Sequence, residues 1–287
     1  MVIEERYKSI STPERPKDIF SLEGRVGVIV GGAGKMAQQF AKTLGYAGAS
    51  MMLADLPDAR SMESAKIISD LTGAEVLGVD CDVSDPEQVK ELFETASDRF
   101  GHLDFFIYSV LSKPEGYYRT THQYALETWN HALAGNLTGA FFCSREAFNH
   151  MNPNKGGTMV LVSSIYGMVG PDQRIYEDCS PVDNVYGGTD PLCCPAVYSA
   201  SKSGIIGLTR YFAALWGASN IRVNAMTPGG VFDGQDTSFR EAYEHRTPLK
   251  RMAVWADFSG AVLFLVSDAS RYMTGANLII DGGWTAW

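Results

Sequence analysis

Apolar residues in this chain fall in short runs, separated by longer stretches in which they return every third or fourth position. The first run, Arg25-Val-Gly-Val-Ile-Val30, ends in glycines and predicts a buried strand. Met36, Phe40, Leu44 and Ala47 then recur at helical spacing, and a second run, 49–54, ends in Asp55. The alternation continues with helices over about 61–72, 86–100, 126–150, 196–217 and 256–267. Strands are expected at 75–80, 103–108, 157–162, 221–225 and 277–280. Ser84-Asp-Pro-Glu87 supplies a start signal for one helix: Ser84 as cap, a proline in the first turn and a capping-box acid. Strands alternating with helices predict an α/β fold, a single doubly wound domain with a seven-stranded parallel sheet. Residues 1–23 are polar, with Pro13 and Pro16, and are expected to form an N-terminal arm ahead of a domain at 24–287. In such sheets ligands sit beyond the carboxyl ends of the strands, so chemistry is sought just after each apolar run.

After the first strand, Gly32-x-Gly34-x-x-Ala37 fits the GxGxxG/A dinucleotide fingerprint, with Gly31, Lys35 and Met36 in the same turn. Glycines permit the tight turn and a close approach of pyrophosphate, whose charge the helix N-terminus favours. Asp55, 18 residues past Ala37, can accept from a ribose diol and would repel a 2′-phosphate. NAD(H) is therefore the preferred cofactor, with NADP(H) use left open by Lys35. After the third strand, Asp82 can accept from an adenine amino group with Val83 beside the ring. The alternative is that this segment only starts the next helix.

Composition narrows the partners. The 287 residues carry a formal charge of -9, which argues against nucleic acid and anionic membranes. No apolar run reaches the roughly 18 residues of a membrane span. Met1 to Lys8 hold acids and bases and no apolar stretch, so a secretory leader is not expected. Five cysteines, Cys81, Cys143, Cys179, Cys193 and Cys194, are odd in number and irregular in spacing, which fits a reducing cytoplasm. No metal site is expected: Cys193-Cys194 has neither a CxxC pattern nor clustered histidines beside it.

Tyr198-Ser-Ala-Ser-Lys202 places a phenol and an ammonium four residues apart on one helix face. A tyrosine pKa near 10 is too high for a base at neutral pH, and a neighbouring cation lowers it. Such pairs are common surface accidents. This one is accompanied by Ser163-Ser164 at a strand end, by Asn136 in the middle of a helix, and by Pro228-Gly229-Gly230-Val231 after another strand.

These residues together resemble the short-chain dehydrogenase/reductase family over about 22–287, with its Rossmann fold. The resemblance implies a catalytic tetrad. Asn136 would hold a water and the lysine, Ser164 would polarise the substrate oxygen, and Tyr198 would transfer the proton. Lys202 would lower the tyrosine pKa and bind the nicotinamide ribose, with Pro228 and Val231 near the carboxamide. It also implies a homotetramer, with the arm and Trp284 to Trp287 as contacts. The implied reaction interconverts a secondary alcohol and a ketone on a ring-bearing small molecule. A sugar hydroxyl and a steroid ketone remain open as substrates.

The chain departs from the family pattern in three places. In the turn, Val30, Lys35 and Ala37 stand where the family has Thr, Gly and Gly. Tyr108-Ser-Val-Leu111 replaces Asn-Asn-Ala-Gly after the fourth strand. Between Ser164 and Tyr198 lie 33 residues, more than the family usually has. The span 171–195 is read as a specificity insertion and 231–250 as the other substrate loop. Tyr166, Tyr176, Phe232, Phe239 and Tyr243 are candidates for stacking on a ring. The altered turn also keeps open a non-catalytic, nicotinamide-binding regulator.

Overall fold

The structure, a computed structural model, describes residues 15–151, 156–177, 179 and 193–287. Most of the arm and most of the insertion lie outside the described residues. Seven strands form one parallel sheet in the order β3-β2-β1-β4-β5-β6-β7. They are β1 (Val26–Val30), β2 (Ser50–Asp55), β3 (Val76–Asp80), β4 (Phe105–Tyr108), β5 (Gly157–Val162), β6 (Ile221–Pro228) and β7 (Asn277–Ile280). The order reverses between β1 and β4, which opens a crevice at their carboxyl ends. Val30 lies opposite Ala54 on one side and Tyr108 on the other, so the turns after β1, β2 and β4 share one rim.

Helices cover both faces, which is why β1 is apolar or glycine throughout and buried at every position. On one face α1 (Lys35–Tyr46) and α2 (Ser61–Thr72) bury Phe40, Leu44 and Ile68 against Ile29, Met51 and Phe105. On the other, α3 (Pro86–Phe100) buries Phe93 against Phe106. The predicted helix over 126–150 is two helices, α4 (Leu126–Leu133) and α5 (Gly139–His150), joined by a π-turn at Ala134–Thr138. Gly135 and Gly139 weaken the α-helix here, and the loop after β4 docks into the gap. The Tyr108 phenol donates to the Gly135 carbonyl, and Asn136 hydrogen-bonds the main chain of Ser112. Wide turns of this kind are frequent at functional sites.

Further on lie α6 (Ala196–Trp216), α7 (Thr237–Arg246) and α8 (Ser259–Val266). The helix α7 sits inside the expected substrate loop and was not predicted: it is mostly polar, and only Tyr243 is buried. Two further expectations are corrected. Asp85, not Ser84, caps α3 by accepting from the Glu87 N–H, because Ser84 is turned back onto the Asp82 carboxylate. Trp284, expected at a subunit contact, is buried in its own chain, stacked on Tyr243 at 4.2 Å with the Arg246 guanidinium over its ring. Among the described residues no helix is long and apolar enough to cross a membrane.

Candidate active site

One cleft of about 640 Å³ runs along the carboxyl ends of the strands. At its β1 end, Gly31 adopts φ +76°, and a Cβ there would sit 2.6 Å from the Ser109 carbonyl oxygen. Left-handed backbone costs a non-glycine residue about 1–2 kcal/mol, and here the neighbouring main chain blocks the atom as well. Gly31→Ala is therefore expected to lower the unfolding free energy by about 3 kcal/mol. A urea melt checks this, and an unchanged midpoint contradicts the geometry. Gly34 caps α1 with no side-chain cap, leaving the first N–H groups of the helix open to an anion.

Asp55 ends β2 at the cleft wall. Its Oδ2 accepts from Ala33 N at 3.0 Å and its Oδ1 from Leu56 N at 2.9 Å. Burial pushes its pKa up, and those N–H donors oppose the shift. The glycine turn and the acid are thus one unit. Asp82 and Val83 line the same end, with one Asp82 oxygen engaged by Ser84. The ion-pair partner of Lys35 is Asp233, in the loop after β6, and not Asp55.

At the other end α6 brings Tyr198 and Lys202 to one face, and Ser164 follows β5 in extended backbone, φ -160°. All three line the cleft. The Lys202 ammonium is buried, 6.0 Å from the centroid of the Tyr198 ring, and donates to the carbonyls of Val162 at 2.9 Å and Val110 at 3.4 Å. Burial pulls its pKa down to about 8.

The cleft also brings together Gly31, Gly34, Lys35, Met36, Pro228 and Val231. Gly32 and Asn136 do not line it. Gly32 packs against Leu53, whose Cβ a Cβ on Gly32 would approach to 2.8 Å. Asn136 uses its amide oxygen and nitrogen on Ser112, at 2.6 and 3.1 Å. Ser112 is two residues from the Val110 carbonyl that accepts from Lys202, so Asn136 and Lys202 hold the same segment.

A family model described as enoyl-(acyl carrier protein) reductase matches residues 31–179 and 185–285. The cis-4-hydroxycyclohexanecarboxylate dehydrogenase of Sinomonas cyclohexanicum is 31% identical, covering 91% of this chain and 97% of its own. The chain belongs to the short-chain dehydrogenase/reductase family. A D-arabinitol 2-dehydrogenase [ribulose-forming] of Scheffersomyces stipitis is 29% identical over 93% of this chain and 96% of its own. The NADPH-dependent 3-quinuclidinone reductase of Rhodotorula rubra shares its fold at a TM-score of 0.79, with 26% identity over 97% of this chain and 99% of its own. This dehydrogenase/reductase is thus an oxidoreductase of alcohols and ketones from a family that binds nicotinamide cofactors.

Sequence reasoning missed how this dehydrogenase/reductase fixes the turn after β5. Ser163 Oγ donates to the Lys202 carbonyl at 2.7 Å, and Gly167 packs on the same peptide. A serine pair gives no signal for which hydroxyl faces the helix. The cleft on the Tyr198 side is walled by Tyr117, Tyr118, Tyr166, Tyr176, Pro195 and Tyr243. Tyr117 and Tyr118 sit in a stretch with no periodic pattern and were not picked out. Phe232 is exposed and does not line the cleft, and Phe239 stands behind two of its lining rings, 5.1 Å from Tyr176 and 6.0 Å from Tyr243 between ring centres. Gln173 and Cys194 exchange two hydrogen bonds, which pinches the two ends of the insertion together. Burial pushes the Cys194 thiol up to about 12, which disfavours the thiolate at neutral pH.

Proposed function

We propose that the cleft interconverts a secondary alcohol and a ketone on a ring-bearing substrate, with NAD(H) as cofactor and Tyr198 as acid/base. The observation that carries this is the convergence of Ser164, Tyr198 and Lys202 on one cleft with the glycine turn and Asp55. The residues fit a dinucleotide: a turn with no room for side chains, open helix N–H groups and an acid at the end of β2. When bound, that cofactor supplies or accepts the hydride. In reduction, the Ser164 hydroxyl donates to the substrate oxygen and orients the carbonyl. Tyr198 then gives its phenolic proton to that oxygen as charge develops on it. The Lys202 cation, held by two carbonyls, stabilises the tyrosinate left behind. In oxidation the proton runs the other way. Asn136 holds Ser112 and so positions the segment that carries Val110.

The tyrosine walls offer flat faces with few charges, which suits a neutral cyclic substrate. A related protein named for a hydroxycyclohexanecarboxylate agrees with a ring, and one named for arabinitol keeps sugar alcohols in the panel. Cyclic ketones, steroid ketones and sugar alcohols assayed with NADH or NAD test this reading. Turnover of none of them would refute it.

NAD preference rests on Asp55. Asp55→Ser is expected to shift the NADPH-to-NADH ratio of kcat/KM by about 10- to 100-fold toward NADPH, because it removes a ribose acceptor and a like charge. An unshifted ratio, or a wild-type preference for NADPH, contradicts the assignment. Self-association belongs to the same reading. The strand β7 closes the sheet with Ile279 40% exposed, and an open edge of that kind suits a second copy of the chain.

A further inference from the structure

The ion pair between Lys35 and Asp233 has no role in the chemistry above. It joins the first turn of α1 to the loop after β6, and both residues line the cleft. The two partners are held very differently. Asp233 belongs to a braced loop: its N–H donates to Gln235 Oε1 at 2.7 Å, and Gln235 Nε2 donates to the Val231 carbonyl at 2.8 Å. Val231 is in turn bridged to Ala253. The Lys35 side chain is 63% exposed and carries its charge on a long four-carbon stem. A second lysine, Lys113, lines the same cleft. Desolvation lowers its pKa, and the Asp233 carboxylate opposes that shift. The open N–H groups of α1 begin at Lys35 itself.

An anion entering above the glycine turn therefore meets two ammonium groups and a helix N-terminus in its favour. Against it stands the Asp233 carboxylate, beside the Asp55 carboxylate that the Ala33 N–H of the turn already holds. A diphosphate is the anion a nicotinamide dinucleotide would place beside such a turn. Lys35 cannot serve the carboxylate and the diphosphate fully at once.

We propose that Asp233 is a built-in competitor for the cofactor diphosphate, holding Lys35 in the open cleft and yielding it when a dinucleotide enters. This rests on the dinucleotide reading of the cleft. Asp233 thereby weakens cofactor binding and speeds cofactor release, at a position that takes no part in proton or hydride transfer.

The test is fluorescence and calorimetric titration of the full chain with NADH, ADP and adenosine at fixed ionic strength. Wild type, Asp233→Asn, Lys35→Gln and the double variant are compared, each checked for an unchanged thermal midpoint. Asp233→Asn is expected to tighten NADH and ADP binding about 10-fold, and Lys35→Gln to weaken both about 10-fold. In the double variant the gain from Asp233→Asn should largely vanish, leaving it close to Lys35→Gln, because no lysine is left to compete for, and adenosine, which has no phosphate, should bind all four alike. If Asp233→Asn and Lys35→Gln both weaken NADH, the pair is a structural clasp and the proposal fails. An adenosine affinity that shifts as much as that of ADP overturns it too. Wild-type protein that binds neither NADH nor ADP would instead refute the dinucleotide reading, a result separable from the opposite signs expected of the two variants.

Discussion

Tyr198→Phe is expected to lower kcat for ketone reduction by about 10²- to 10⁴-fold, the range a positioned proton donor supplies. NADH affinity should stay within about twofold, because the change removes one oxygen and keeps the ring. The ring has its own neighbours: Tyr166 meets it edge-on at 6.5 Å, and the Lys202 ammonium lies 6.0 Å from its centre. A phenylalanine can keep both contacts, so the fold around the cleft should survive. Single-turnover kinetics with saturating NADH read the chemical step directly. Loss of rate and cofactor binding in parallel would make the hydroxyl a structural group.

Lys202→Met is expected to cost about as much in kcat, with an added signature in stability. The Lys202 ammonium is buried against neutral carbonyls, and among the described residues no carboxylate pairs with it. Burial alone brings its pKa to about 8, below the ordinary lysine value. Between about pH 8 and 10.5 the unfolded chain therefore binds more protons at this group than the folded one, so its contribution to folding rises with pH. Buried thiols such as Cys81 and Cys194, raised to about 12, act in the opposite direction. They are common to both proteins and cancel in a comparison. Wild type should gain on the order of 2 kcal/mol relative to Lys202→Met across that window. Urea melts at several pH values measure the difference. A difference that stays flat with pH would mean that the ammonium is hydrated or paired.

The sheet was legible because every strand but the two at its edges, β3 and β7, is buried on both faces or nearly so, and each writes a run such as Val26 to Val30 or Phe105 to Tyr108. The end residues of those runs pointed to the rim on which Asp55, Ser164 and Val231 stand. Three kinds of feature were not legible. The π-turn at Asn136 comes from tertiary docking by Tyr108 and Ser112, 24 or more residues away in sequence, and local spacing alone predicts a continuous helix. The helix Thr237–Arg246 has little apolar periodicity and is held by Tyr243 and by Asp236 as cap. The partner of Lys35 lies 198 residues away, so its turn toward Asp233 and not toward Asp55 has no local signal. For the π-turn and for Lys35, a long-range polar contact decides what the nearby residues leave open.

The central claim is hydride transfer between a nicotinamide and a carbinol carbon in this cleft, gated by Tyr198. Its most direct measurement is reduction of a cyclic ketone with NADH carrying deuterium at both C4 positions, followed by mass and NMR analysis of the alcohol. The expected result is one deuterium on the carbinol carbon with wild type, and alcohol formation lower by about 10²-fold or more with Tyr198→Phe. Alcohol labelled from solvent in place of the cofactor, or made equally well by Tyr198→Phe, would contradict it.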